Sequence, residues 1–102
     1  MTTYFVSRHT GAMVWAKNEA IKVDVQLEHL EINNLKAGDI VLGSLPVNLV
    51  AELNKMGVRY FHLSLPLPAD LRGKEISAEM MRDLGARLDE FKVSQINGDK
   101  NA

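Results

Sequence analysis

The stretch Thr3-Tyr4-Phe5-Val6-Ser7-Arg8-His9-Thr10-Gly11-Ala12 contains the transition that decides the fold. Its first part, Thr3 to Ser7, is β-branched and aromatic, which predicts a strand buried on both faces. The apolar run stops at Arg8 and His9, and a helix is predicted from Gly11 to about Lys17, with Trp15 in the core. A buried strand that leads into a helix is typical of layered α/β folds.

The loop between this strand and this helix has the composition of an anion site. Backbone N–H groups at a helix start are unpaired and favour negative charge, and Arg8 adds a permanent planar cation. His9 adds a side chain that exchanges protons near neutral pH. Two simpler interpretations stay open, namely that Arg8 is a solvated surface charge and that His9 is a hydrogen-bonded turn residue.

A second strand is predicted within Val23–Leu30, where apolar and polar residues alternate with the period of a half-exposed strand at a sheet edge. Glu28 and His29 point to opposite faces of such a strand, so they cannot bind one metal ion together. The link from Glu31 to Asp39 is short for a parallel crossover, which leaves the direction of this strand open.

The next strands are predicted over Ile40–Gly43 and from Arg59 to Leu65. Between them, a helix is predicted to run to Lys55, with Pro46 in its first turn. Ser44 is the residue near the helix start whose side chain has an oxygen that could cap it, and Gly57 is expected to end the helix.

A last helix is predicted from near Ser77, because Met81, Leu84, Leu88 and Phe91 follow one another at spacings of three, four and three. From Ser94 onward the chain is polar, so residues 1–93 are predicted to form the domain and residues 94–102 a disordered tail.

These elements predict a small Rossmann-like fold, with a mostly parallel sheet and helices on both faces. If the first and third strands lie side by side at the centre, a ligand is expected in the crevice beyond their carboxyl ends. The loops at that crevice are Ser7 to Gly11 and Gly43 to Pro46.

The length, charge and composition of the chain exclude several classes of function. A chain of 102 residues suffices for one domain, and a formal net charge of −1 argues against a broad basic face that tracks long nucleic acid. The sequence has no cysteine, which excludes a thiolate zinc site and a cysteine nucleophile. No apolar run is long enough to span a bilayer, and no signal peptide is evident, so a cytoplasmic protein without membrane partners is expected.

Several familiar motifs are missing from the sequence. Gly43-Ser44-Leu45-Pro46 is not a nucleophile elbow, Arg8-His9-Thr10-Gly11 lacks the outer glycines of a dinucleotide site, and the Walker pattern does not occur. The histidines are too far apart in sequence to suggest zinc, so no metal site and no cofactor are predicted. Phosphate binding or metal-free phosphodiester chemistry is what is left.

RNA suits such a site, since its own 2′-hydroxyl can attack the neighbouring phosphorus. The protein then needs only to align that attack and to stabilise the developing charge, for which Arg8 and His9 could suffice.

The sequence resembles a small family of stand-alone CRISPR-associated proteins, the sixteenth-numbered of the Csx series. The resemblance covers the chain up to about Val93 and is carried by the opening stretch with Trp15, by Gly38-Asp39-Ile40-Val41-Leu42-Gly43-Ser44-Leu45-Pro46-Val47, and by His62-Leu63-Ser64-Leu65 with Pro68, Arg72-Gly73 and Glu75. It implies a fold like the CRISPR-associated Rossmann fold domain. It also implies a metal-independent ring nuclease that degrades cyclic oligoadenylate, notably the four-adenylate ring, in type III CRISPR signalling.

Under this resemblance, Arg8 and His9 are the predicted catalytic residues. The predicted substrate contacts are Ser7, Thr10, Gly11, Gly43, Ser44, His62 and Arg72. His62 has the alternative of a hydrogen-bonded core residue, and Arg72 that of a solvated charge. A ring of four nucleotides has two-fold symmetry, so a homodimer is expected.

A module that only binds or sequesters cyclic oligoadenylate would need the same anion site, and the sequence does not separate it from an enzyme. A structural subunit of a larger CRISPR assembly is a third possibility, less favoured by the charge balance.

Overall fold

The computed structural model of the protein describes residues 1–96. Its strands are β1 (Thr3–Val6), β2 (Val25–Leu27), β3 (Ile40–Gly43), β4 (Arg59–Ser64) and β5 (Arg87–Phe91). Its helices are α1 (Thr10–Asn18), α2 (Val47–Lys55) and α3 (Ala78–Asp83), with short 3₁₀ turns at Ile32–Asn34 and Ala69–Leu71. In this part of the chain, no helix has the length and apolar character needed to cross a membrane.

The five strands form one sheet in the order β2-β1-β3-β4-β5. The first four strands are parallel, and β5 runs antiparallel to β4. β1 and β3 are neighbours at the centre, with Phe5 opposite Leu42. The predicted Rossmann-like sheet and its central switch point are therefore confirmed.

The helices cover both faces of the sheet. On one face, α1 and α3 pack against Phe5 and Leu42, and Trp15 is only 3% exposed, which confirms its predicted place in the core. On the other face, α2 packs against Val41 and Tyr60. Each central strand therefore contributes side chains to two cores, which explains its uninterrupted apolar sequence.

β2 is a short edge strand, as its alternating sequence predicts, and it runs parallel to β1. It ends at Leu27, so residues 28–39 are free to form the connection, and about a dozen residues suffice for a parallel crossover. Within that connection Leu30, Ile32 and Leu35 pack on the same core as α2.

The predicted last helix is wrong beyond Asp83. Gly85 has φ +85°, and its amide donates to Arg82 while the amide of Ala86 donates to Met81, which is the hydrogen-bond pattern that closes a helix. Leu88 and Phe91 then belong to β5, which pairs with β4. Residues 94–96 of the predicted tail lie outside any helix or strand, and the rest of that tail lies outside the described residues.

Candidate ligand-binding cleft

A cleft of about 640 Å³ opens beyond the carboxyl ends of β1, β3 and β4. Its lining includes Ser7, Arg8 and His9 after β1 and Ser44 and Leu45 after β3. Both loops of the predicted crevice therefore contribute to the cleft. The reason is topological: the connections from β1 and β3 leave toward opposite sides of the sheet and leave a gap between them.

The loop after β1 is held in shape by Ser7. The Ser7 hydroxyl oxygen accepts a hydrogen bond from the amide of His9 at 3.1 Å, which sets the backbone just before α1 begins. His9 is the residue that precedes the helix, and no side chain of the described residues caps its first turn. Arg8 and His9 are both exposed in the cleft wall beside the partly positive helix start.

His9 also contacts a distant segment of the chain. Its Nδ1 atom lies 3.1 Å from Oε1 of Glu75, and Glu75 itself lines the cleft. A carboxylate that accepts from Nδ1–H leaves Nε2 as the ring nitrogen free to meet a ligand.

Ser44 does not cap α2. Its hydroxyl donates to the carbonyl of Leu63 at 3.0 Å and so ties the loop after β3 to β4, while Pro46 directly precedes the helix. Pro46 fixes its own φ, and its carbonyl oxygen accepts hydrogen bonds from the amides of Leu49 and Val50, so the helix begins without a side-chain cap.

Tyr60 holds the loop after β3 in place from the α2-side core. Its buried hydroxyl donates to the carbonyl of Gly43 at 3.0 Å and accepts from the amide of Leu45 at 2.8 Å. Burial raises the pKa of the Tyr60 phenol above its usual value, and the hydrogen bond from Leu45 opposes that rise. The phenol is therefore a neutral hydrogen-bonding group that positions the loop.

The structure places His62 outside the cleft. Its Nδ1 atom lies 2.7 Å from the hydroxyl of Tyr60, and its ring meets Phe91 edge-on. Since that hydroxyl already donates to Gly43, the arrangement that satisfies every group has His62 donating through Nδ1–H. This geometry matches the alternative of a hydrogen-bonded core residue in its hydrogen bond, and the ring itself is partly buried.

Two predicted contact residues are glycines that do not line the cleft. A Cβ atom at Gly11 would collide with the carbonyl oxygen of Ile76, and one at Gly43 would lie 2.9 Å from the carbonyl oxygen of Val6. Both glycines permit close backbone packing beneath the cleft. Thr10 and Arg72 are exposed and also lie outside the lining.

The opposite wall of the cleft is formed by residues that were not among the predicted site residues. The segment between β4 and α3 contributes Lys74 and Glu75, and the apolar surface is formed by Leu63, Leu65, Leu67, Ile76 and Met81. The length of this segment could have indicated its role. Residues 65–77 contain only the short 3₁₀ turn, and long irregular segments in compact domains are usually functional.

The cleft thus combines charged groups with an apolar wall. Arg8 and Lys74 approach it from different segments, and Glu28 and Glu75 supply the carboxylates. Such a site fits a ligand that carries both an anionic group and an apolar surface.

A family model described as "Putative CRISPR-associated protein (Cas_VVA1548)" matches residues 4–94. The chain belongs to this family. No curated protein and no solved structure matches the chain. For the CRISPR-associated protein described here, the matched range runs from β1 to beyond β5, so it contains every residue of the cleft wall.

Proposed function

We propose that this CRISPR-associated protein is a metal-independent ring nuclease that opens cyclic oligoadenylate, with the four-adenylate ring as its substrate, in type III CRISPR signalling. The proposal joins two lines of support. One is the sequence resemblance to stand-alone ring nucleases of the Csx series, and the other is the chemistry of the cleft.

The observation that carries the proposal is the placement of Arg8 and His9 side by side at the start of α1, in a cleft whose other wall is apolar. Arginine and helix-start amides stabilise charge on phosphate oxygens. The partly exposed Leu63, Leu65 and Leu67 offer a surface for adenine, which is flat and largely apolar on its faces.

The proposed reaction is an internal transfer at phosphorus. The 2′-oxygen of one ribose forms a bond to the adjacent phosphorus as the bond from phosphorus to the 5′-oxygen breaks. The proton of the 2′-hydroxyl passes to solvent, and protonated His9 gives a proton to the leaving 5′-oxygen. The products are a 5′-hydroxyl and a 2′,3′-cyclic phosphate, and no water is consumed.

In this scheme Arg8 stabilises the charge that develops on the two non-bridging oxygens, an effect that typically contributes about 10²-fold to 10³-fold. Proton transfer by His9 would add roughly 10²-fold to 10⁴-fold. A homodimer would place two such clefts around a two-fold symmetric ring.

The test is incubation of the purified protein with labelled cyclic tetra-adenylate and excess chelator, followed by separation of the products. We expect linear products that end in a 2′,3′-cyclic phosphate from the first turnover. Products that carry a 3′-phosphate from the first turnover would indicate attack by water instead. Arg82→Ala is the control variant, because it removes an exposed arginine outside the cleft and is purified and assayed in the same way.

The second candidate is a module that binds and sequesters the ring without cutting it. It is favoured by the fact that the described anion-site groups, Arg8, Lys74 and the start of α1, would serve binding as well as catalysis. Tight binding of an intact ring in the same assay would select this function.

A further inference from the structure

His9 and Glu75 join two segments that are 66 positions apart in the chain. His9 belongs to the loop after β1, and Glu75 to the irregular segment that precedes α3. Their contact at 3.1 Å lies in the wall of the cleft. No neighbour in sequence imposes it, so it depends on how that segment folds over the cleft.

The contact with Glu75 determines which ring nitrogen of His9 carries the hydrogen in the neutral ring. An ionised carboxylate only accepts hydrogen bonds, so His9 must donate through Nδ1–H. In the neutral ring, Nε2 then holds the lone pair, and in the protonated ring Nε2–H is the proton that a ligand meets.

We propose that Glu75 is a positioning residue, which fixes the Nδ1–H form and the ring orientation of His9 and so presents Nε2 to a phosphodiester in the cleft. This inference rests on the proposed function for its catalytic consequence. Its structural consequence, the protonation of one particular ring nitrogen, does not.

The other charged side chains that line the cleft are Arg8, Lys74 and Glu28. Among the residues that the structure describes, Glu75 is the one whose side chain is hydrogen-bonded to the His9 ring. Glu75 is therefore the carboxylate that can select between the two ring nitrogens.

Both partners are well exposed in the open cleft, with side-chain exposures of 67% for His9 and 73% for Glu75. An exposed pair of this kind adds little to the stability of the fold. A bound nucleotide would exclude water from the cleft and strengthen the contact. Loss of Glu75 should therefore affect the reaction far more than unfolding.

The first measurement is the ¹⁵N shift of the two His9 ring nitrogens at a pH where the ring is neutral, with His9→Ala to assign the signals. We expect protonated Nδ1 and unprotonated Nε2 in the wild type. Glu75→Leu should move both nitrogens toward a mixture of the two forms, and Glu75→Gln should keep part of the preference because its amide oxygen still accepts. Glu79→Gln, an exposed change on α3 outside the cleft, should leave both signals unchanged.

The second measurement is single-turnover cleavage of cyclic tetra-adenylate by the same variants. Glu75→Leu should slow the chemical step about 10-fold to 100-fold, by analogy with the loss of a group that orients a metal-ligating histidine. The affinity for the ring should stay within about threefold if positioning is the role. Glu75→Gln should be intermediate.

The two measurements separate the possible failures. If the wild type and Glu75→Leu show the same His9 nitrogen shifts, the positioning proposal is overturned whatever the activity. An altered nitrogen pattern with an unchanged cleavage rate overturns the catalytic consequence. If the wild type does not cut the ring, the proposed nuclease fails, and the nitrogen shifts still decide whether Glu75 orients His9.

Discussion

The hydroxyl group of Tyr60 in β4 donates a hydrogen bond to the carbonyl oxygen of Gly43 at the end of β3. This contact lies in the α2-side core, where Tyr60 is 2% exposed, directly beneath the loop that carries Ser44 into the cleft. The shape of one cleft wall therefore depends on a buried phenol that does not itself line the cleft.

Tyr60→Phe should lower the free energy of unfolding by about 1–3 kcal/mol, because the amide of Leu45 and the carbonyl of Gly43 lose their buried partner. Urea unfolding followed by circular dichroism measures this change. Tyr4→Phe is the matched control, since Tyr4 is a partly buried tyrosine that packs on the same core. Equal stabilities of the two variants would contradict the role given to the Tyr60 hydroxyl.

Arg8→Ala should lower the cleavage rate of cyclic tetra-adenylate by at least about 10²-fold, the effect expected when a donor to the transition state is removed. Binding of the ring should fall less, because Lys74 and the start of α1 are still present. Single-turnover rates and equilibrium binding of the same preparation measure both quantities. A folded Arg8→Ala protein that cleaves at the wild-type rate would refute the anion-site argument, and Arg82→Ala should behave as the wild type.

His9→Ala should slow the chemical step and remove one limb of the pH–rate profile while binding changes little, because the variant lacks the group that protonates the leaving oxygen. Single-turnover rates across pH measure this effect. If His9 only shaped the loop, the variant would bind poorly and keep the profile of the wild type. His29→Ala is the histidine control, since His29 is exposed and lies outside the cleft lining. An inactive His62→Ala beside an unchanged His9→Ala would move the proton-transfer role to β4.

Ionisation of the Asp39 carboxyl makes the stability of the folded state depend on pH. Hydrogen bonds from the amides of Lys36 and Thr2 hold the pKa of its carboxyl below the usual 3.8, and burial opposes them. The ionised form is thus favoured in the folded state, so its stabilising effect is present above pH 3.8 and is lost as the pH falls through the lowered folded-state pKa.

Asp39→Asn should therefore be less stable than the wild type at neutral pH, and the difference should shrink as the pH drops below 3.8, the ordinary pKa of an aspartate carboxyl. Urea midpoints between pH 2 and pH 7 measure this difference. The exposed Asp70→Asn is the control and should track the wild type. A difference between Asp39→Asn and the wild type that persists undiminished at low pH would show that charge is not its cause.

Much of the sheet follows from the sequence. The apolar runs at Thr3–Val6 and Ile40–Gly43 become neighbouring central strands. Each run is continuous because its side chains are buried on both faces, and each is followed by residues that favour a turn or a helix start. The position of the cleft could be predicted for the same reason, and Ser7, Arg8, His9 and Ser44 lie in its wall.

In the last third of the chain, the local spacing of apolar residues did not predict the secondary structure correctly. Met81, Leu84, Leu88 and Phe91 fit a helical spacing, but Gly85 ends α3 and pairing with β4 makes the following residues a strand. Pairing partners come from distant parts of the chain, so a short amphipathic pattern does not show whether they are available.

The sequence by itself determined the central parallel strands, the switch point between them and the charged loop at that point, because these depend on local apolar runs and turn residues. Only the tertiary structure decided that β2 is parallel, that β5 is a strand, and that Lys74 and Glu75 reach the cleft. The contact between His9 and Glu75 is of this second kind. It brings together residues that no local periodicity relates, through an irregular segment whose path depends on packing against the finished sheet.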